Sequence, residues 1–230
     1  MKVLVSDFDK TFYTADYNKN IELVNKFVDE GNVFVIATGR NVNLLKKDLE
    51  EKNVKFSYLI CNDGAIICDS NYKVLNKTDI DYNYVNPIYD IMKNSRIIDE
   101  AYIDNGEDLV RTSSFANAIV GKYTSYSDAT FLLKEIEDKF EQVHGYLSTN
   151  WLIINSAETS KALGIHYLID KQGFKKDDLY VVGDHTNDVS MYEHFKGYAI
   201  DNSIIKIKKL AFKQVKDFKG VIKSLNTMKN

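Results

Sequence analysis

Short apolar runs alternate with amphipathic helical segments along the first 61 residues of the chain. Residues 3–6, 33–37 and 58–61 are mainly apolar, which is typical of parallel strands that are buried on both faces. Between these runs, apolar residues recur at helical spacing over residues 20–30 and again over 44–49. The resulting β-α-β-α-β order predicts a parallel, right-handed, doubly wound sheet.

The pattern changes character after residue 61. Turn residues at Asp63-Gly64 and Ser70-Asn71 predict hairpins within residues 62–81. Residues 83–158 mix strand and helix patterns and lack the continuous apolar runs that are typical of buried parallel strands. The predicted element order, αββαββ, indicates an α+β insert. Its predicted elements are a helix over 87–93, strands over 101–103 and 109–112, a helix over 128–139, and strands over 143–147 and 151–155.

The parallel pattern returns near residue 161 and completes the predicted fold. Apolar residues at helical spacing follow Lys161, and residues 179–184 read as a fourth parallel-type strand. We therefore predict an α/β fold in which residues 1–82 and 159–230 form a Rossmann-like, doubly wound parallel sheet. Residues 83–158 form an inserted α+β domain.

Composition and charge narrow the classes of protein and partner. Hydrophobic residues make up 44% of the 230 residues and charged residues 27%, which is the balance of a globular protein. The net charge of -3 argues against a nucleic-acid partner, because that role usually needs a basic surface. The chain shows neither a signal-peptide pattern after Met1 nor an apolar run of roughly 18 residues, so we expect a cytoplasmic protein without a membrane partner. Its oligomeric state stays open.

Polar side chains follow the ends of the predicted strands and the start of one helix. A single aspartate at a strand end is more often a helix cap or a turn former than a functional residue. Ligands of open α/β sheets, however, bind at the carboxyl ends of the strands, so the chain order brings these groups to one crevice. The convergent groups are Asp7 with Asp9, Thr38, Lys161, and Asp184 with Asp188.

Four short motifs in this order resemble those of the haloacid dehalogenase superfamily. They are Asp7-x-Asp9-x-Thr11, Thr38 within Ala37-Thr38-Gly39-Arg40, Lys161, and Gly183-Asp184-His185-Thr186-Asn187-Asp188. Their order and approximate spacing agree with that superfamily over residues 1–82 and 159–230. An insert at residues 83–158 resembles the cap domain of its Cof-type sugar-phosphate phosphatases.

The resemblance implies a magnesium-dependent phosphatase that acts on a small phosphorylated metabolite, with a sugar phosphate favoured. It implies that Asp7 is the nucleophile and that Asp9 is the general acid and base. It further implies phosphate binding by Thr38, Gly39, Lys161 and Asn187, and Mg²⁺ binding by Asp7, Asp9 through its backbone carbonyl, Asp184 and Asp188. For Asn187 and Asp188 the resemblance leaves two roles open, which are completing the metal shell and orienting Lys161. The chemistry is consistent, since Mg²⁺ prefers one or two carboxylates together with water and phosphate oxygens.

Two residue assignments have rivals in the sequence. The run Asp9-Lys10-Thr11 alone resembles the motif of ion-pumping ATPases, in which Asp9 would be the nucleophile. Those proteins need a membrane domain, and Thr11 fits the motif that begins at Asp7. Lys171 is the rival of Lys161, but it sits where a helix should end.

The sequence also allows roles to be weighed for Arg40 and Trp151. Arg40 has two open roles, a phosphate contact and a cap on the helix that follows it. Trp151 lies on a predicted strand of the insert, and we assign it to the core rather than to a surface that contacts substrate.

Other functions stay open at this point. Sugar phosphomutases share the core motifs and a similar cap, and no residue separates them from phosphatases. A receiver-like signalling module also groups an acidic pair, a threonine and a lysine around magnesium, but receivers are about half this length and place the phosphorylated aspartate after a later strand. The intact set of Asp7, Asp9, Thr38 and Asp184 disfavours a catalytically silent binding protein.

Overall fold

Two β-sheets organise the chain in the computed structural model, which describes residues 1–228. Residues 229 and 230, the end of the predicted core, lie outside this description. The first part of the core consists of β1 (Val3–Ser6), α1 (Tyr17–Asp29), β2 (Val33–Ala37), α2 (Val42–Glu51), β3 (Tyr58–Cys61), β4 (Ile66–Asp69) and β5 (Val74–Lys77). A single-turn 3₁₀ helix, Asn62–Gly64, connects β3 to β4.

The insert forms a separate antiparallel sheet with two helices. It comprises α3 (Tyr82–Asn94), β6 (Ile98–Asp104), β7 (Leu109–Val110), β8 (Ala118–Tyr123), α4 (Tyr126–Lys139), β9 (Val143–Ser148) and β10 (Trp151–Ser156). The strand order is β7-β6-β8-β10-β9. The predicted order αββαββ was therefore wrong, because it lacked β8, the central strand of this sheet.

The chain then returns to the core sheet. The returning elements are α5 (Lys161–Gln172), β11 (Leu179–Gly183), α6 (Val189–His194), β12 (Lys196–Ala199), α7 (Ile205–Leu210), β13 (Lys213–Gln214) and α8 (Phe218–Thr227). Single-turn 3₁₀ helices at Lys176–Asp178 and Thr186–Asp188 precede β11 and α6. Helix α6 and the strands β12 and β13 were not predicted.

The core sheet has the order β13-β12-β11-β1-β2-β3-β4-β5. Its pairs from β13 to β3 are parallel, and β4 and β5 add two antiparallel strands at one edge. Buried residues of α1, α2 and α8 pack on one face of the sheet, and those of α5, α6 and α7 pack on the other. The predicted α/β fold with a doubly wound parallel sheet and an inserted α+β unit is thus confirmed. The boundaries at 82/83 and 158/159 stay a prediction.

Strand β1 is the point at which the order of the strands reverses. Val5 on β1 pairs with Val35 of β2 on one side and with Val181 of β11 on the other. The connection that leaves β1 runs to β2, whereas the connection that leaves β11 runs to β12 in the opposite direction, which opens a crevice at the carboxyl ends of β1 and β11. The residue after β1, Asp7, therefore stands at the position where this kind of sheet binds ligands.

Helix α3 begins earlier than the sequence pattern predicts. The predicted helix began near Pro87, whereas the observed helix begins at Tyr82. The side chain of Asp81 accepts a hydrogen bond from the Asn83 backbone N–H at 2.8 Å and caps the helix one turn earlier. Over residues 1–228, no helix combines the length and the apolar character that crossing a bilayer requires.

Candidate active site

A tight turn after β1 places Asp7 and Asp9 on the same cavity. The Asp7 backbone N–H donates to the Val182 carbonyl at 2.9 Å, which extends the β1–β11 pairing by one residue. The backbone then folds back, and the N–H groups of Phe12 and Tyr13 donate to the Phe8 carbonyl at 3.0 and 2.7 Å. Phe8 and Phe12 are fully buried and anchor this turn in the core. Both carboxylates consequently line one cavity, although residues two apart on a straight strand point to opposite sides.

Lys161 provides the cation that faces Asp7. It is the first residue of α5, whose N-cap Ser160 accepts a hydrogen bond from the Leu163 N–H at 3.1 Å. Its side chain is completely buried, and Nζ lies 2.6 Å from Oδ1 of Asp7 and 2.6 Å from Oδ1 of Asp188. The rival, Lys171, is exposed in the last turn of α5. The structure therefore brings Lys161, and not Lys171, to the carboxyl end of β1.

The electrostatics of Lys161 follow from these contacts. Burial lowers the pKa of the ammonium group, but the carboxylates of Asp188 and Asp7 outweigh that effect, and its pKa is raised overall. The ammonium therefore stays charged at neutral pH.

Three buried carboxylates form the centre of the site. Oxygen atoms of Asp7, Asp184 and Asp188 all lie within 4.8 Å of one another. Burial raises the pKa of Asp7, the Lys161 ammonium opposes that rise, and the Asp188 carboxylate adds to it. Burial and Asp188 likewise raise the pKa of Asp184, whose Oδ1 accepts a hydrogen bond from Thr11 at 3.0 Å. One ammonium against three carboxylates leaves negative charge that a cation would neutralise.

Asp188 is engaged through both of its carboxylate oxygens. Oδ1 accepts from Lys161, and Oδ2 accepts from the backbone N–H groups of Asp184 at 2.8 Å and His185 at 3.0 Å. Of the two roles left open for Asp188, these contacts favour the orientation of Lys161.

Thr38 and Gly39 follow β2 and reach the same cavity. Thr38 is buried, and its hydroxyl oxygen accepts a hydrogen bond from the Arg40 N–H at 3.2 Å. Gly39 lies against the insert, because a Cβ atom there would come within 2.8 Å of the Tyr146 hydroxyl oxygen. A side chain at position 39 would therefore displace the Tyr146 hydroxyl and the neighbouring Asp63 carboxylate.

Asn187 belongs to a polar group that the sequence did not predict. Its amide donates to Oδ1 of Asp63 at 2.8 Å, and the Tyr146 hydroxyl of β9 donates to Oδ2 of the same carboxylate. Burial raises the pKa of Tyr146, and the neighbouring Asp63 carboxylate raises it further, so the phenol keeps its proton. We call these three residues the Asp63 cluster; it joins the turn after β3, the loop after β11 and the insert.

Loss of the Tyr146 hydroxyl should destabilise the protein. Tyr146→Phe leaves one oxygen of the Asp63 carboxylate without its donor in a buried setting, so the free energy of unfolding should fall by about 1–3 kcal/mol. Urea denaturation measures this change. Tyr102→Phe, which removes an exposed hydroxyl bonded to Glu100 at 2.7 Å, is the matched control and should change stability by less than about 0.5 kcal/mol. Equal losses in the two variants would contradict the importance of the Asp63 cluster.

Arg40 does not cap the helix that follows it, and its other predicted role, a phosphate contact, stays a prediction, since the side chain lines the cavity. Its Nε and Nη2 atoms donate to both oxygens of Asp9 at 2.8 and 2.6 Å, and Nη1 donates to Asp48 at 2.6 Å. Its guanidinium carbon lies 4.9 Å from the centroid of the Phe8 ring. The helix cap is instead Asn41, whose side chain accepts from the Leu44 N–H at 3.0 Å. Arg40 therefore fixes the orientation of the Asp9 carboxylate, which lies outside the cluster of three acids.

A cavity of about 660 Å³ lies between the carboxyl end of the core sheet and the insert. The core contributes the acidic groups and the residues after β2, and the insert contributes Tyr146, Trp151 and Ile153. The assignment of Trp151 to the core of the insert was wrong, because the side chain is only partly buried and lines this cavity. Its neighbour Leu152 points to the other face of the sheet and is fully buried in the core of the insert.

Comparison with known proteins identifies the family. A sequence profile of the haloacid dehalogenase-like hydrolases matches residues 4–117 and 99–224. The chain belongs to this family. As a haloacid dehalogenase-like hydrolase, it carries the expected Cof-type insert as a second, antiparallel sheet.

Relatives and solved structures agree with this identification. An uncharacterised protein of Mycoplasma capricolum is 27% identical over 84% of this chain and 88% of that protein. The 5-amino-6-(5-phospho-D-ribitylamino)uracil phosphatase YcsE of Bacillus subtilis is 21% identical over 92% of this chain and 88% of that protein. A haloacid dehalogenase-like hydrolase from B. subtilis has the same fold, with a TM-score of 0.87 and 16% identity over 100% of both chains.

Proposed function

We propose that this hydrolase is a magnesium-dependent phosphatase that hydrolyses a small phosphate monoester through an aspartyl-phosphate on Asp7. The observation that carries the proposal is the buried ion pair of Lys161 with Asp7, placed within the cluster of three acids and open to a cavity. A carboxylate nucleophile must approach an anionic phosphate, so it needs positive charge beside it. Lys161 supplies part of that charge.

The donor set fits a magnesium ion. Within residues 1–228, Oδ2 of Asp7 and Oδ2 of Asp184 accept no hydrogen bond from a side chain or backbone group. These two carboxylates, with the Asp9 backbone carbonyl, would hold the ion, and one or two carboxylates plus water are what Mg²⁺ prefers. When bound, the ion neutralises charge between Asp7 and the phosphate and holds a phosphoryl oxygen.

The remaining residues have distinct parts in the proposed reaction. Thr38, the Gly39 N–H and Lys161 bind the phosphoryl oxygens, and Asn187 stands beside them, its amide held by Asp63. Asp7 attacks phosphorus while Asp9 gives a proton to the departing alkoxide. Asp9 then takes a proton from the water that cleaves the aspartyl-phosphate. Arg40, which donates hydrogen bonds to the Asp9 side chain, holds that group in position beside the site.

The substrate we propose is a small metabolite, with a phosphorylated sugar favoured. A cavity of about 660 Å³ is the size of a site for a small molecule rather than for a phosphoprotein segment. Residues 83–158 act as the cap, because side chains of that segment form one wall of the cavity. The B. subtilis relative is named for a substrate in which a phosphorylated ribityl chain carries a uracil ring.

Metal removal provides the direct test of this function. Hydrolysis of a panel of phosphate monoesters should occur with magnesium and fall to background in excess chelator. Because two carboxylates with several waters make a weak, exchangeable site, activity should return when magnesium is added back. Release of inorganic phosphate measures the rate. Full activity after exhaustive chelation would rule out the proposed mechanism.

A further inference from the structure

The face of the insert sheet that looks into the cavity is apolar at its centre. An antiparallel sheet covered by helices on one face normally places polar residues on the other. On β10, Leu152 and Ile154 are fully buried with residues of α3 and α4, whereas the alternate residues Trp151 and Ile153 line the cavity. Val120 of β8 pairs with Ile153 and lines the cavity as well. Strand β10 is thus apolar on both faces.

This apolar face begins beside the phosphate site. Tyr146, which bonds to Asp63 next to Gly39, pairs with Ile153 across β9 and β10. Trp151 lies one strand across and two residues along from Tyr146, a Cα separation of roughly 8 Å. A five-carbon sugar or sugar alcohol spans such a gap between a phosphate held at the core and a group resting on Trp151.

Building on the proposed phosphatase function, we propose that Trp151, Ile153 and Val120 form a ring platform that binds a planar heterocycle on the leaving group. The substrate class is then a phosphate monoester of a sugar or sugar alcohol that carries such a ring. A tryptophan offers a large flat surface for stacking, and the aliphatic side chains of Ile153 and Val120 extend it. Ser148, opposite Trp151 in the strand pairing, and Thr149 add hydroxyl groups at the edge of the platform.

A matched set of substrates tests the platform. Uridine 5′-monophosphate, adenosine 5′-monophosphate and ribose 5-phosphate carry the phosphate on the same carbon of ribose, but only the two nucleotides carry a planar heterocyclic base. With magnesium present, kcat/KM should be about tenfold higher for at least one nucleotide than for ribose 5-phosphate, the size expected for stacking of one base.

Substitution of Trp151 should remove this preference selectively. Trp151→Leu keeps an apolar side chain but removes the stacking surface, and Trp151→Ala is the second variant. Both should lower kcat/KM for the preferred nucleotide by about tenfold and leave ribose 5-phosphate within about twofold. Phe131→Ala is the control, because Phe131 on α4 is 73% exposed and outside the cavity. Equal losses on both kinds of substrate in the Trp151 variants would overturn the platform.

A binding measurement separates this proposal from the proposed reaction. Trp151 is the only tryptophan of the chain, so its fluorescence reports directly on the platform. In metal-free protein, the nucleotides should quench this fluorescence. They should do so at lower concentrations than those at which ribose 5-phosphate changes the fluorescence. If ribose 5-phosphate is hydrolysed as fast as both nucleotides and quenches the Trp151 fluorescence equally, the proposed ring platform is wrong. The proposed phosphatase function is then unaffected. If magnesium supports no hydrolysis, the phosphatase is wrong, and the titration alone decides the platform.

Discussion

Replacement of Asp7 by asparagine should abolish turnover, with a loss of at least about a thousandfold in kcat. An amide cannot attack phosphorus to form the acyl phosphate, and it carries no charge for a metal ion. The fold should be retained, because the substitution removes one of three carboxylates that lie within 4.8 Å of one another. Phosphate release measures activity, and near-ultraviolet circular dichroism checks the fold.

A matched control for this substitution lies far from the cavity. Asp177→Asn removes a carboxylate that is 95% exposed and paired with the surface residue Lys196, so it should leave kcat unchanged. The same assay also tests which aspartate of the first motif, Asp7 or Asp9, is the nucleophile. Wild-type hydrolysis by Asp7→Asn, together with loss of the phosphorylated intermediate in Asp9→Asn, would make Asp9 the nucleophile.

Replacement of Asp9 by asparagine should slow the enzyme according to the leaving group. A sugar alkoxide needs a proton as its bond to phosphorus breaks, whereas para-nitrophenolate leaves with little help. Loss of a general acid or base typically costs about 10² to 10⁴ in rate. Sugar-phosphate hydrolysis should therefore fall by that amount, while para-nitrophenyl phosphate should give a burst of nitrophenol followed by slow turnover. Aspartyl-phosphate should accumulate on Asp7.

A second carboxylate bound by Arg40 provides the control variant for Asp9→Asn. Asp48→Asn removes the other carboxylate that Arg40 binds, at 2.6 Å, but Asp48 does not line the cavity. If Asp9 acts in proton transfer, Asp48→Asn should change both substrates by similar, small factors. Equal losses on both substrates in Asp9→Asn, without a burst, would mean that Asp9 serves only to hold Arg40 and the turn after β1.

The core of the fold was predictable because its strands are buried on both faces and read as continuous apolar runs. The central strand of the insert was not. Strand β8 contains Gly121, and this glycine interrupts the apolar pattern of the strand. A glycine is favoured at this position because a Cβ atom there would lie 2.7 Å from the Met92 methyl group on α3. Tertiary packing thus selected a residue that weakens the local strand signal. Strand β13, with two residues, is too short for a pattern to show, and β12 contains Lys196 and Gly197, which interrupt its apolar run.

The site was predictable to the extent that it depends on strand ends. Asp7, Thr38 and Lys161 converge because each occupies the carboxyl end of a strand or the start of a helix at one edge of the sheet. The Asp63–Tyr146 hydrogen bond depends instead on how the insert lies against the core. Sequence patterns describe elements one at a time and carry no information about that placement. The pairing of Arg40 with Asp9 was missed for the same reason, since the sequence offers several acidic partners for one arginine.

The pairing of β1 with β11 also determines when the enzyme can assemble during synthesis. Strand β1 leaves the ribosome long before β11, yet Val3 pairs with Leu179 and Asp7 takes its cation from Lys161. Until those residues emerge, the central strand has one open edge of unpaired backbone, which is a template for pairing with other chains. That edge therefore stays exposed until β11 emerges, and ribosomal pausing before Leu179 would prolong the exposure.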